Sequence, residues 1–185
     1  MAKRKASKPW ASLKPWPCMI LAIDPGKSSG WSIWFNGDYI ESGECSSFDD
    51  PELTKVVALV IHLAQEAQVP SALVLEKHPW HGRGRHVGAG LEAAKEIWRA
   101  KWVACGGVKA RMLQVHLNTW RSAILGKTTG KEVIEREQRT AKAIAKRDVG
   151  ADEAAAICIG RWATVSALVG DSLPKKFREQ VTHGP

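Results

Sequence analysis

The sequence predicts an α/β fold: a mixed five-stranded sheet, made of an antiparallel meander joined to parallel strands and flanked by helices. Three observations carry this prediction. Two short apolar runs, Met19-Ile20-Leu21-Ala22-Ile23 and Ser71-Ala72-Leu73-Val74-Leu75, each end in a carboxylate, Asp24 and Glu76. Between them Leu53, Val56, Val57, Val60 and Ala64 recur at helical spacing, and a crossover helix makes the two runs parallel neighbours. A last helix, Ala151 to Leu168, carries Asp152 in its first turn on one stripe with Ala155, Ala156, Ile159 and Ala163.

Taken in order, residues 1–17 hold Lys3, Arg4, Lys5, Lys8 and Lys14, three prolines and no acid. They read as a flexible basic arm that adds phosphate contacts or stays a solvated tail. A single domain is expected over 18–170 and a tail over 171–185. A carboxylate closing the first strand is costly to desolvate unless a metal ion or a basic side chain lies beside it, so Asp24 is a candidate ligand. Pro25-Gly26 turns the chain, and Ser32-Ile33-Trp34-Phe35 is the return strand of a hairpin with its tip at Asn36-Gly37-Asp38. Tyr39 to Cys45 is a third strand that closes the meander.

Asp50-Pro51-Glu52 supplies an N-cap, a first-turn proline and a first-turn acid for the crossover helix, which ends before Pro70. Since the strands it joins are parallel, their ends lie on one side of the sheet and Asp24 and Glu76 converge. His78 to Gly90, rich in glycine, histidine and arginine, reads as an exposed loop. A helix over Leu91 to Cys105, a strand over Ala110 to Val115, a short helix opened by Asn118-Thr119-Trp120-Arg121 and stopped at Gly126, and a charged, exposed helix over Lys131 to Lys146 follow. No internal repeat is present.

Composition narrows the function classes. The 185 residues, 44% of them hydrophobic, suffice for one core, and the net charge of +8 points to a polyanionic partner or to solubility alone. Nine tryptophans against one tyrosine serve either as core or as stacking platforms for bases. Cys18, Cys45, Cys105 and Cys158 are too scattered for zinc ligand pairs and read as reduced, buried thiols of a cytosolic protein. No apolar stretch is long enough for a membrane span and the N-terminus lacks a secretory core, so a cytoplasmic protein is expected.

Asp152 alone is explained by the helix dipole, which favours an acid in the first turn by roughly 0.3–1 kcal/mol. In conjunction with Asp24 and Glu76 it gives the layout of the ribonuclease H-like fold. Leu21-Ala22-Ile23-Asp24-Pro25-Gly26 with Gly30-Trp31 resembles the first motif of the RuvC-type Holliday-junction resolvases, and Leu73-Val74-Leu75-Glu76 their second. Trp120-Arg121-Ser122-Ala123-Ile124-Leu125-Gly126, then Lys131-Glu132, is similar to their basic motif. Gly150 to Ile159 is similar to their C-terminal helix motif.

The resemblance implies a two-metal carboxylate site for phosphodiester hydrolysis, holding two Mg2+ or Mn2+ ions with Asp24, Glu76 and Asp152 as ligands and Asp24 between them. It makes Arg121 and Lys131 the basic residues that offset transition-state charge, although both also fit a solvated helix surface. The family carries a fourth acid three positions before the helix aspartate, where this chain has Val149. Either Asp148 substitutes, re-aimed by the turn at Gly150, or the site runs on three carboxylates; Glu153 is on the wrong side of a regular helix.

In such enzymes an aromatic wedge follows the glutamate by three residues. Here that position is Pro79, with Trp80 adjacent as the candidate wedge and Arg83 and Arg85 as phosphate contacts. A zinc site at His78, His81 and His86 fits no known spacing. The expected activity is cleavage of four-way or related branched DNA, with roles in recombination and repair, by a homodimer using the helix from Leu91 to Cys105, in a bacterium or encoded by a phage. The alternatives are a flap, fork or RNA–DNA hybrid nuclease of the same fold, and a non-catalytic nucleic-acid binder.

Overall fold

A computed structural model of the chain describes residues 18–48, 51–77, 85–126 and 130–169. Its strands are β1 (Met19–Asp24), β2 (Ser28–Phe35), β3 (Asp38–Ser46), β4 (Ser71–Lys77) and β5 (Met112–His116). Its helices are α1 (Pro51–Glu66), α2 (Arg85–Ala104), α3 (Leu117–Ile124), α4 (Lys131–Ala145) and α5 (Ala151–Val169). The strands form one sheet in the order β3-β2-β1-β4-β5. β1 pairs antiparallel with β2 and β2 with β3, whereas β1 with β4 and β4 with β5 are parallel. This is the expected mixed sheet, flanked by helices. The β2–β3 turn is Asn36-Gly37, with φ of 52° and 94° at the two residues, the left-handed pair that a tight hairpin uses.

The period of two in the strands sorts the core into two layers. Met19, Leu21 and Ile23 of β1 and Leu73 and Leu75 of β4 join α1, Trp98 and Trp102 on one face. Ile20, Ala22 and Val74 join Trp120 of α3, Ala141 of α4 and the apolar residues of α5 on the other. Both faces are covered, which is why β1 and β4 read as unbroken apolar runs. Alternation then sends Asp24 and Glu76 to the face that carries α3, α4 and α5.

Several element boundaries differ from the sequence expectation. β2 begins at Ser28 rather than Ser32, because Ser29 and Ser32, polar in the sequence, are buried with hydrogen-bond partners. α2 begins at Arg85, so part of the expected His78–Gly90 loop is helix. Gly88 and Gly90 oppose this by about 1 kcal/mol each, less than the packing of Ala94, Trp98 and Trp102 further along the helix returns. Lys109–Arg111 forms a 3-10 turn, which delays β5 to Met112. α4 is not exposed all round, since it buries Glu137 and Ala141.

Trp31, Trp34, Trp98, Trp102, Trp120 and Trp162 are all buried, so the tryptophans of the described residues are core rather than stacking platforms. The four cysteines are free thiols; Cys45 and Cys158 are buried, Cys18 and Cys105 only partly so. Burial pushes the Cys158 thiol up to about 12, with the charge of Glu137 adding to the effect. Among the described residues no helix is long and apolar enough to cross a membrane.

Candidate carboxylate site at the strand ends

β1 and β4 run in register from Met19 opposite Ser71 to Ile23 opposite Leu75, so Asp24 and Glu76 are the next residues of two adjacent strands. Glu76 is 1% exposed and Asp24 half-buried. The turn behind Asp24 is tied down by the buried Ser29. Its hydroxyl oxygen accepts the Gly26 N–H at 3.1 Å and the Trp98 indole N–H at 3.1 Å, and it also contacts the hydroxyl of Ser47. The backbone that carries Asp24 is therefore anchored to the α1–α2 side of the sheet.

The third acid approaches through a glycine. Gly30 of β2 is the cross-strand partner of Asp24, and a Cβ added to Gly30 would lie 1.9 Å from the carbonyl oxygen of Asp152. Only a bare Cα lets the first turn of α5 rest on the sheet beside Asp24. Further along the same face, the Ser32 hydroxyl donates to the Ala156 carbonyl at 2.8 Å. At the start of α5, Glu44 Oε1 accepts the Glu153 N–H at 3.1 Å, satisfying one of the helix's open donors. Asp152 is half-exposed on this turn.

Its neighbour Glu153 is buried and committed elsewhere. Ser42 donates to its Oε1 at 2.6 Å, and Arg147 forms an ion pair with it. Burial alone would raise the Glu153 carboxyl, but the hydrogen bonds from Arg147 and Ser42 and the guanidinium charge outweigh that and hold it below the usual range. Glu153 thus staples α5 to β3.

On the other side, the Trp120 indole N–H donates to Glu76 Oε2 at 2.8 Å, and the Arg121 guanidinium carbon sits 5.2 Å from the centroid of the Trp120 ring. Arg121 Nε lies 2.5 Å from Oε1 of Glu137, which α4 brings in with only 5% of the residue exposed. The contact is an ion pair without the alignment of a good hydrogen bond. Burial raises the Glu137 carboxyl; Arg121 pulls it back, and the charges of Glu76 and Asp24 add to the rise, leaving it above its ordinary value. Glu137 therefore shares the electrostatic neighbourhood of both strand-end acids.

The structure brings together Asp24, Glu76, Arg121 and the first turn of α5 that carries Asp152. Lys131, the first residue of α4, is exposed. The Asp148 carboxylate is 90% exposed and 2.6 Å from Lys142 Nζ. Lys146, at φ 60°, ends α4 in a left-handed turn, and Asp148 pairs with that helix through Lys142. Val149, at the position of the family's fourth acid, packs against the α5-side core. Trp80 and Arg83 lie outside the described residues, as do His78 and His81; Arg85 opens α2, and its side chain and that of His86 also lie outside them.

Two site residues escaped the sequence reading. In the sequence Trp120 stands only within a motif, and nothing there marks it as a donor to Glu76. Glu137 lies on the helix expected to be exposed, although it interrupts the stripe Val133, Ala141 and Ile144 that packs inward, and an acid in such a stripe is a usable signal.

Among the described residues no three His, Cys, Asp or Glu side chains are placed to hold one metal ion. Asp24, Glu76 and Asp152 offer carboxylate oxygens only, and oxygen is the ligand type of hard divalent cations, so the residues fit that group in their chemistry.

No protein-family model matches the chain, and no curated protein matches it in sequence. Solved structures do. Thermus thermophilus RuvC in complex with Holliday junction substrate matches with a TM-score of 0.59 at 14% identity, over 82% of this chain and 96% of that one. A second Thermus thermophilus RuvC structure matches with a TM-score of 0.58 at 14% identity and the same coverage. The yeast mitochondrial Holliday junction resolvase Ydc2 matches with a TM-score of 0.46 at 12% identity, over 92% of this chain and 86% of that one. The chain carries the ribonuclease H-like fold of RuvC.

Proposed function

We propose that the protein is a metal-dependent, structure-selective endonuclease that resolves Holliday junctions or related branched DNA by phosphodiester hydrolysis. The observation that carries this reading is the meeting of Asp24 and Glu76 on adjacent parallel strand ends, roofed by the α5 turn that bears Asp152. The likeness to RuvC, one structure of which holds a Holliday junction substrate, supports it. Asp24, Glu76 and Asp152 would hold the metal, Mg2+ or Mn2+ as two ions. Bound there, the ions would activate water and offset charge on the leaving oxygen.

The remaining work falls to the chain itself. Trp120 orients the buried Glu76 carboxylate by donating its indole N–H to Oε2. Arg121 lies beside the acids and is placed to meet a phosphate as its negative charge grows. Lys131 contributes a second cation from the exposed start of α4. The residues that follow Glu76 and Lys77, with Trp80, Arg83 and Arg85, would engage the branch point, and the +8 net charge favours association with DNA.

The deciding measurement is cleavage of matched four-way junction, flap, fork and RNA–DNA hybrid substrates with Mg2+. Symmetric nicks across the four-way junction are expected, and Asp24→Asn should lower the rate at least about 100-fold while leaving the circular dichroism spectrum unchanged. Equal cutting of hybrids would remove junction resolution, and full activity of Asp24→Asn would remove the catalytic assignment.

A further inference from the structure

We infer that Glu137 is the positioning residue for Arg121, fixing its guanidinium against the strand-end carboxylates; this rests on the nuclease reading above. Four side chains from three elements form one line. Glu137 of α4 meets Arg121 Nε at 2.5 Å, Arg121 lies 5.2 Å from the ring centroid of Trp120, and Trp120 donates to Glu76 Oε2 at 2.8 Å. α4 also carries exposed acids, Glu132 and Glu135, which could meet an arginine at little desolvation cost. Arg121 is instead matched to the one acid of α4 that is buried, with 5% of the residue exposed. A carboxylate in an apolar stripe is tolerated only beside an opposite charge, so Glu137 and Arg121 depend on each other.

The arrangement limits what Arg121 can do. An arginine side chain has about 2 kcal/mol of rotamer entropy to lose when it is fixed. Here the carboxylate meets the inner nitrogen in an ion pair and the indole ring lies beside the guanidinium, so part of that ordering precedes any ligand. Because the contact is made through Nε, the outer edge of the fork, Nη1 and Nη2, is the part that can meet a phosphate with two parallel hydrogen bonds. Glu137 itself need touch neither substrate nor ion.

The test is a double-mutant cycle on four-way junction cleavage with Mg2+, using Glu137→Gln, Arg121→Ala and the double variant. Glu137→Gln is expected to lower kcat roughly 10- to 100-fold, with KM within about twofold of wild type, as a misplaced transition-state contact does. The double variant is expected to match Arg121→Ala alone, since Glu137 acts through the arginine. Added guanidinium should partly rescue Arg121→Ala but not the double variant. Glu137→Asp, which keeps the charge one methylene further back, is expected to retain intermediate activity and serves the same cycle should Glu137→Gln fail to fold. Independent, multiplying losses, or rescue by guanidinium without Glu137, would overturn the inference while the nuclease reading stands. Wild-type protein that cuts no branched DNA would overturn both.

Discussion

At Gly30 an added Cβ would lie 1.9 Å from the Asp152 carbonyl oxygen and 2.6 Å from the Glu153 nitrogen, so Gly30→Ala must push the first turn of α5 off the sheet. The obstacle is backbone on both sides, which cannot rotate away as a flexible side chain would. Overpacking of this kind costs about 1–3 kcal/mol, and it also moves Asp152 away from Asp24. Gly30→Ala should therefore lower the urea midpoint of unfolding and reduce junction cleavage more than its stability loss explains; unchanged values for both would refute the close approach. At this scale the sequence was legible where a residue broke its surroundings. Asp24 and Glu76 stood out because each ended an apolar strand. Glu137 broke a stripe too, but many charges on α4 hid it, and only packing against α5 revealed which face was inward. Asp148 pairs with Lys142 beyond the left-handed Lys146, a turn that no spacing rule in the sequence announces.

α5 is held as an element by contacts at its start as well as by its apolar length. Glu153 receives the Ser42 hydroxyl and the Arg147 guanidinium, and Glu44 receives the Glu153 N–H, so β3 and the turn before α5 are joined to the helix in one network. The Glu153 carboxyl is held below its ordinary value of 4.5. A depressed folded-state value means that the ionised form stabilises the fold; this stability is full above 4.5 and is lost as the pH falls through the lower, folded-state value. Glu153→Gln should be clearly less stable than wild type at pH 7, and the gap should close as the pH drops below 4.5 in a series of thermal melts. A gap that is constant with pH would show that the staple does not depend on charge. Element existence was readable from periodicity, including the crossover α1 that makes β1 and β4 parallel. Boundaries were not, because tertiary contacts set them: buried Ser29 and Ser32 extended β2, and a long packed helix absorbed the glycines at the start of α2.

For the whole molecule, cutting two strands symmetrically about a junction requires two sites in a fixed relation, and one chain supplies one constellation of acids. The expectation of a homodimer through α2 therefore becomes a statement about the outer face of that helix. Ala94, Trp98 and Trp102 turn inward, which leaves Ala93, Glu96, Ala100, Val103 and Ala104 along an exposed stripe, with Val103 itself 48% exposed. Small side chains allow two helices to approach closely, and one valine among them gives an apolar centre that a symmetric interface would bury twice. An arginine there would place two like charges near each other at the two-fold axis without touching the inward packing. Val103→Arg should convert a dimer into a monomer in sedimentation or light scattering, with an unchanged melting temperature at low protein concentration. On a four-way junction the monomer should nick single strands without pairing the cuts, so that nicked intermediates accumulate while resolved products fall. A wild-type chain that is monomeric at the concentrations where it resolves junctions would place the pairing of cuts outside α2, and Val103→Arg would then leave paired cutting intact.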